Sequence, residues 1–151
     1  MRLGRAAPRL FLTIGVVAMC HSQALACTIT TVSVGFGAYD PTAAADDVGV
    51  GTINLTCPSN ATPTVQLSIS AGSGTFAARQ MSSGSNVLQY NLYTSSAAGA
   101  PVWGDGSAGT VTVSVAGAGA TTSTSVYGKI VAKQNVKAGS YADTAIVTVT
   151  F

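Results

Sequence analysis

From residue 27 onward this chain places most of its apolar residues at every second position. Val32, Val34 and Phe36 alternate in TVSVGFG, Ile53, Leu55 and Cys57 in TINLTC, and Val65, Leu67 and Ile69 in TVQLSIS. The pattern returns with Leu88, Tyr90 and Leu92, with Val111, Val113 and Val115, and with Val126, Ile130 and Val131. A two-residue period is the signature of a strand with one face in a core, because successive side chains point to opposite sides of a sheet. Between residues 27 and 151 no segment repeats apolar residues at three and four over three turns, so helices are not expected. The breaks between segments, AYDPTAAADDVG, CPSNATP, SAGSG, WGDGSAG, AGAGA and KAGS, carry the Gly, Pro, Asn and Asp that reversals need. GVG at 49 to 51 reads as a turn into the strand that follows. About seven short strands at this spacing predict an all-β fold, an antiparallel sandwich of immunoglobulin-like kind in one domain. The Trp-between-cysteines pattern of antibody domains does not fit, since Trp103 follows both cysteines.

The last segment, YADTAIVTVTF, keeps its alternation to Phe151, with Ala145, Val147, Val149 and Phe151 on one side. Chain ends fray unless something ties them down, so this strand is expected to have a partner.

The first residues are of another kind. MRLGRAAPR holds three arginines, and Leu10 to Cys20 form an apolar run of about ten residues, where spanning a bilayer takes about 20. Ala24 and Ala26 then supply small residues three and one before Cys27, which predicts a signal peptide over residues 1–26 and a domain over 27–151 with no membrane insertion. The formal charge of +2 belongs to the whole chain. Without Arg2, Arg5 and Arg9 the basic residues are Arg79, Lys129, Lys133 and Lys137, facing Asp40, Asp46, Asp47, Asp105 and Asp143. Such a balance gives no reason to expect nucleic acid as a partner.

The chemistry on offer is thin. His21 falls in the signal segment, and the chain has no Glu. Enzymes at neutral pH draw on His, Glu, Asp, Lys, Tyr and activated Cys. Serines are plentiful, but no histidine remains to activate one, so no catalytic residue, cofactor or metal site is expected. Asp40, Asp46 and Asp47 lack the alternating spacing and closing Glu of a calcium loop. Removal of Cys20 leaves Cys27 and Cys57 in a chain bound for an oxidising compartment, which predicts one disulfide. The competing reading is a lipidated Cys27, for which Leu25 stands one place late.

Taken in order, Cys27, FGAYDP (36 to 41), INLTCP (53 to 58), Arg79 with Met81 in RQM, LQYNLYT (88 to 94), VWGDG (102 to 106), VYGKI (126 to 130) and AGSYADTAIVTVTF (138 to 151) resemble the spore coat protein U domain. The resemblance covers essentially all of residues 27–151. It implies a secreted sandwich of the kind found in archaic chaperone-usher pilus subunits, an immunoglobulin-like fold lacking its last strand. A periplasmic chaperone, and then a companion subunit delivered at an usher, would lend the missing strand on the way from periplasm to cell surface. On that reading Val147, Val149 and Phe151 line the accepting groove. Subunits that also donate carry an alternating extension before the first cysteine, and a chain cleaved before Cys27 has none, so it is expected to accept only, at a fibre's end. The alternatives are a stand-alone coat protein and a single-domain tip adhesin. For the last, Trp103 in PVWGDG is the candidate surface-binding residue; its plainer role is to cover an end of the core. Tyr90, Tyr127 and Tyr141 are expected to bury their rings, and Arg79 to hold a loop carbonyl or Asp143.

Overall fold

The structure is a computed structural model and describes residues 27–69 and 75–150. The expected signal segment 1–26 and Phe151 lie outside the described residues. Eight strands are found among the described residues: β1 (Thr28–Gly35), β2 (Asp47–Thr56), β3 (Thr64–Leu67), β4 (Arg79–Ser83), β5 (Asn86–Tyr93), β6 (Val113–Ser114), β7 (Thr121–Ile130) and β8 (Val147–Thr150). They form a five-stranded sheet in the order β1-β2-β7-β5-β4 and a three-stranded sheet in the order β6-β3-β8. All strand pairs are antiparallel. This is the expected immunoglobulin-like sandwich.

The centre of the larger sheet is the β2–β7 ladder, paired without interruption from Asp47↔Ile130 to Thr56↔Thr121. Its inward residues Ile53, Leu55, Val126 and Ile130 are nearly inaccessible and meet Val65 and Leu67 of β3 in one core. The outward positions opposite Ile53, Leu55 and Val126 are mostly Thr, Ser and Asn, while Val48 and Val50 at the start of β2 are exposed. Two cross-strand pairs, Thr56 with Thr121 and Ser123 with Asn54, are hydrogen-bonded there at 2.8 and 2.7 Å. Alternation in sequence has thus become two faces in space.

Three sequence expectations need correction. Residues 79–83, RQMSS, form β4, although their only apolar residue is Met81. The inward face of that strand is Arg79 and Met81, and a buried arginine hides the alternation from a reading by hydrophobicity. The strand expected over Val111 to Val115 shrinks to β6. GVG at 49 to 51 is not a turn but the interior of β2, with Gly49 and Gly51 facing inward in line with Ile53 and Leu55.

Those glycines exist for a close approach. β1 pairs with β2 from Thr28↔Thr56 to Val32↔Thr52, then shifts register before Gly35↔Val50. Past that shift it climbs over the inner face of the sheet. A Cβ on Gly49 would lie 2.4 Å from Gly35 O, one on Gly51 2.7 Å from Val32 O, and one on Gly128 2.5 Å from Phe36 Cζ. Only bare backbone lets Val34 and Phe36 settle so deep.

Cys27 and Cys57 are bonded across 30 residues, with their Cα atoms 4.4 Å apart. The sulfur that a lipid would take is therefore committed, and the start of β1 is tied to the end of β2.

Candidate functional site

Two sheet edges flank a groove of about 1080 Å³. One wall is β1 with its continuation, where Val32, Val34, Phe36 and Tyr39 line it; the other is the approach to β8, including Tyr141, Asp143, Ala145 and Val147. Its floor is core: Ile53, Leu67, Met81, Leu88, Tyr90, Leu92, Val126 and Ile130.

The groove explains an anomaly in β1. That strand alternates, yet it is exposed at every position except Val34, and Val32 is 60% accessible. Val32 faces the open groove, whereas Val34 packs against the core. On the opposite wall β8 pairs with β3 from Thr64↔Thr150 to Leu67↔Val147. β3 lies between β6 and β8, so β8 is a sheet edge, with its second row of backbone groups unpaired by any described strand. An edge strand beside an apolar trough is a template for strand addition.

Val147 and Val149 are half-buried and pack against the core, while Thr148 and Thr150 point outward. Val147 also lines the groove; Val149 sits further along the same face. Phe151, the third residue expected on this wall, lies outside the described residues.

Trp103 is not a surface residue. It has no accessible area, its Nε1–H donates to Val65 O at 3.1 Å and its backbone N–H to Leu92 O at 2.9 Å, so it bridges the two sheets from inside. The adhesin role assigned to it is overturned, and the plainer one, core cover, is where it lies. An indole N–H is buried at little cost only where it finds an acceptor, and here β3 supplies one.

Arg79 is equally inaccessible. Its guanidinium donates to Asn91 Oδ1, Ser68 O and Trp103 O, each at 2.9 Å, and stacks 5.3 Å from the Phe76 ring centre. It holds loop carbonyls, which was one of the two roles foreseen. Burial pushes its pKa down, and the nearby Tyr90 and Asp143 oppose that shift. Tyr90 meets Phe36 edge-on at 6.0 Å and donates its hydroxyl to Asp143. Tyr141 donates to Lys137 O at 2.7 Å.

Asp40, Asp46 and Asp105 serve turns and strand ends. Asp40 accepts from the backbone N–H and hydroxyl of Thr42, and Asp105 from those of Ser107; in both, the side-chain bond leads in holding the pKa below the usual carboxylate value. Asp46 accepts from Ala132 N and pairs with Lys129 at 3.3 Å. Among the described residues no three His, Cys, Asp or Glu side chains converge as a metal would need, and no helix is long and apolar enough to cross a membrane.

No curated protein matches the chain. Among solved structures it is similar to the crystal structure of the CsuC-CsuE chaperone-tip adhesion subunit pre-assembly complex from archaic chaperone-usher Csu pili of Acinetobacter baumannii. The TM-score is 0.63 at 22% identity, over 85% of this chain and 40% of that one. At that identity the likeness is one of fold, and this chain spans less than half of its counterpart. The sequence profile of the Spore Coat Protein U domain matches residues 13–148, nearly the whole chain. By that match the chain belongs to the spore coat protein U domain family.

Proposed function

We propose that this protein is a non-catalytic surface subunit which accepts a β-strand from another chain along β8 and is assembled in this way into a pilus. The observation that carries the reading is the pairing of an unfilled β8 edge with an apolar groove of about 1080 Å³. A strand laid there would gain main-chain hydrogen bonds from β8 and insert alternate side chains against the floor. Its partners are then a periplasmic chaperone, an usher and companion subunits, and its route runs through the periplasm to the cell surface. The crystallised relative, a chaperone bound to a pilus tip subunit, supports this choice of partners.

The anchoring of β1 supports a place at the end of a fibre. Its start is bonded to Cys57 and its length is paired with β2, so ITTVSVGF, though suitably alternating, is not free to reach a neighbour. With cleavage before Cys27 no extension precedes it, and the subunit accepts without donating, as the end member of a fibre does.

The test is a synthetic extended peptide with valine at alternate positions, added to the purified, disulfide-bonded protein of residues 27–151. The peptide should raise the melting temperature with increasing concentration, by mass action on the folded state, and the protein should not polymerise alone. A melting temperature indifferent to the peptide and to every strand of a companion subunit would favour a stand-alone coat protein.

A further inference from the structure

Two charged residues line the groove, Lys137 and Asp143, and Asp143 is the one that stands in the alternating stretch running into β8. From 141 to 150 the chain alternates half-buried and exposed without a break, with Tyr141, Asp143, Ala145, Val147 and Val149 inward. The alternation starts ahead of β8 because Ser82 and Ala142 exchange both backbone hydrogen bonds, at 2.9 and 3.1 Å, which holds this stretch extended against β4. Asp143 therefore faces the groove by the same parity as Val147, and it lines it.

Its surroundings compensate it only in part. Tyr90 gives one hydroxyl hydrogen bond, whereas a carboxylate accepts about four. Arg79 pairs with Tyr90 across β4 and β5 and attracts Asp143 electrostatically, but its Nη1 and Nη2 donate to Asn91, Ser68 O and Trp103 O, and its buried Nε–H makes no hydrogen bond among the described residues. In an open groove water completes the shell. A strand lying along β8 would displace that water, and a desolvated carboxylate is costly unless a hydrogen-bond donor replaces what it lost.

We infer that Asp143 is a register mark: the strand occupying this groove carries, at the position facing Asp143, an N–H donor side chain such as lysine, arginine, asparagine or glutamine within an otherwise apolar alternation. This rests on the strand-acceptor reading above. A uniformly apolar strand can slip by two residues and keep the same face inward, so alternation alone does not choose among registers two residues apart. A single polar site removes that freedom, because every slipped register strands a charge against a methyl group.

The experiment uses a fluorescent peptide with valine at every inward position, and a series in which each inward valine in turn is lysine. Binding to the disulfide-bonded protein of residues 27–151 is followed by anisotropy at fixed salt. One lysine position, and not its neighbours, should bind about tenfold more tightly than the all-valine parent, the order of a charge-assisted hydrogen bond. Asp143→Val should reverse that order, and Tyr90→Phe, which withdraws the resident donor, should widen it. If the all-valine peptide binds the unaltered protein as well as every lysine peptide, or if the lysine preference survives Asp143→Val, Asp143 is no register mark although the groove still accepts strands. If no peptide binds, the strand-acceptor reading falls and takes this inference with it. The series on the unaltered protein decides the matter even where a variant folds poorly.

Discussion

The two walls of the groove carry the same kind of sequence and are held in opposite ways. β1 is anchored three times over: by the Cys27–Cys57 bond at its start, by pairing with β2 along its length, and by the bare backbone of Gly49, Gly51 and Gly128 beneath its end. β8 has one neighbour, β3, and its other edge is open. Alternating apolar residues make a strand that wants a partner; anchoring decides whether the strand waits in place or is available to leave. Here the first wall is fixed and the second keeps an open edge among the described strands.

The comparison breaks most severely if the disulfide is removed. Replacing both cysteines by serine should cost roughly 3 to 4 kcal/mol, the loop-closure value for about 30 residues, read as a shift in the urea midpoint. It should also free β1, so that the variant, unlike the wild type, exchanges the amides of residues 28 to 32 rapidly.

Next in size is Gly49→Ala. The new methyl would press on Gly35 O, a backbone atom that cannot rotate away, so about 1 to 3 kcal/mol should be lost. An equal loss from Gly84→Ala, where nothing lies within 4 Å, would show strain at the left-handed backbone of Gly84 (φ +60) to be as costly as crowding at Gly49.

On the open wall, Val147→Ser should lower the stability of the unfilled protein by less than about 1.5 kcal/mol, since the side chain is only half-buried. Its larger effect should fall on peptide binding. A variant that binds the alternating peptide as wild type would show that β8 offers its backbone alone.

The smallest effect concerns the corner where β2 begins and β7 ends. The Ala132 N–H, with help from Lys129, holds the Asp46 pKa below its usual value. A depressed folded pKa stabilises above the unfolded value of about 4 and the benefit is lost as pH falls through the folded one. Unfolding midpoints should therefore fall on going from pH 5 to pH 3, and Asp46→Asn should make that fall slightly shallower. The pair is exposed, so its contribution at neutral pH is small.

What the sequence made legible follows what side chains advertise. Alternation placed most of the strands and the sandwich class, and the bond between Cys27 and Cys57 was expected from the cysteines alone. The features that escaped were those in which backbone or polar groups do the packing. β4 went unread because Arg79 occupies a core position, satisfied by carbonyls that only the fold brings near. Gly49 and Gly51 read as a turn because a strand interior seldom omits two inward side chains; the reason is Val34 with the backbone of Val32 and Gly35, supplied from a different strand. Asp143 shares the parity of Val147, a signal that was present, but a charge interrupts an apolar count. The groove itself is an absence between β1 and β8, and alternation cannot tell a filled neighbour from a missing one.

Trp103 carries one more consequence. It is the chain's single indole and is sealed between the sheets, outside the groove lining, whereas Tyr39, Tyr90 and Tyr141 all line the groove. The protein is thereby fitted with two optical reporters that answer different questions. Light absorbed by tryptophan alone should follow the unfolding of the sandwich and stay nearly unmoved when a strand docks, while the tyrosine near-ultraviolet dichroism should change on docking with the sandwich intact.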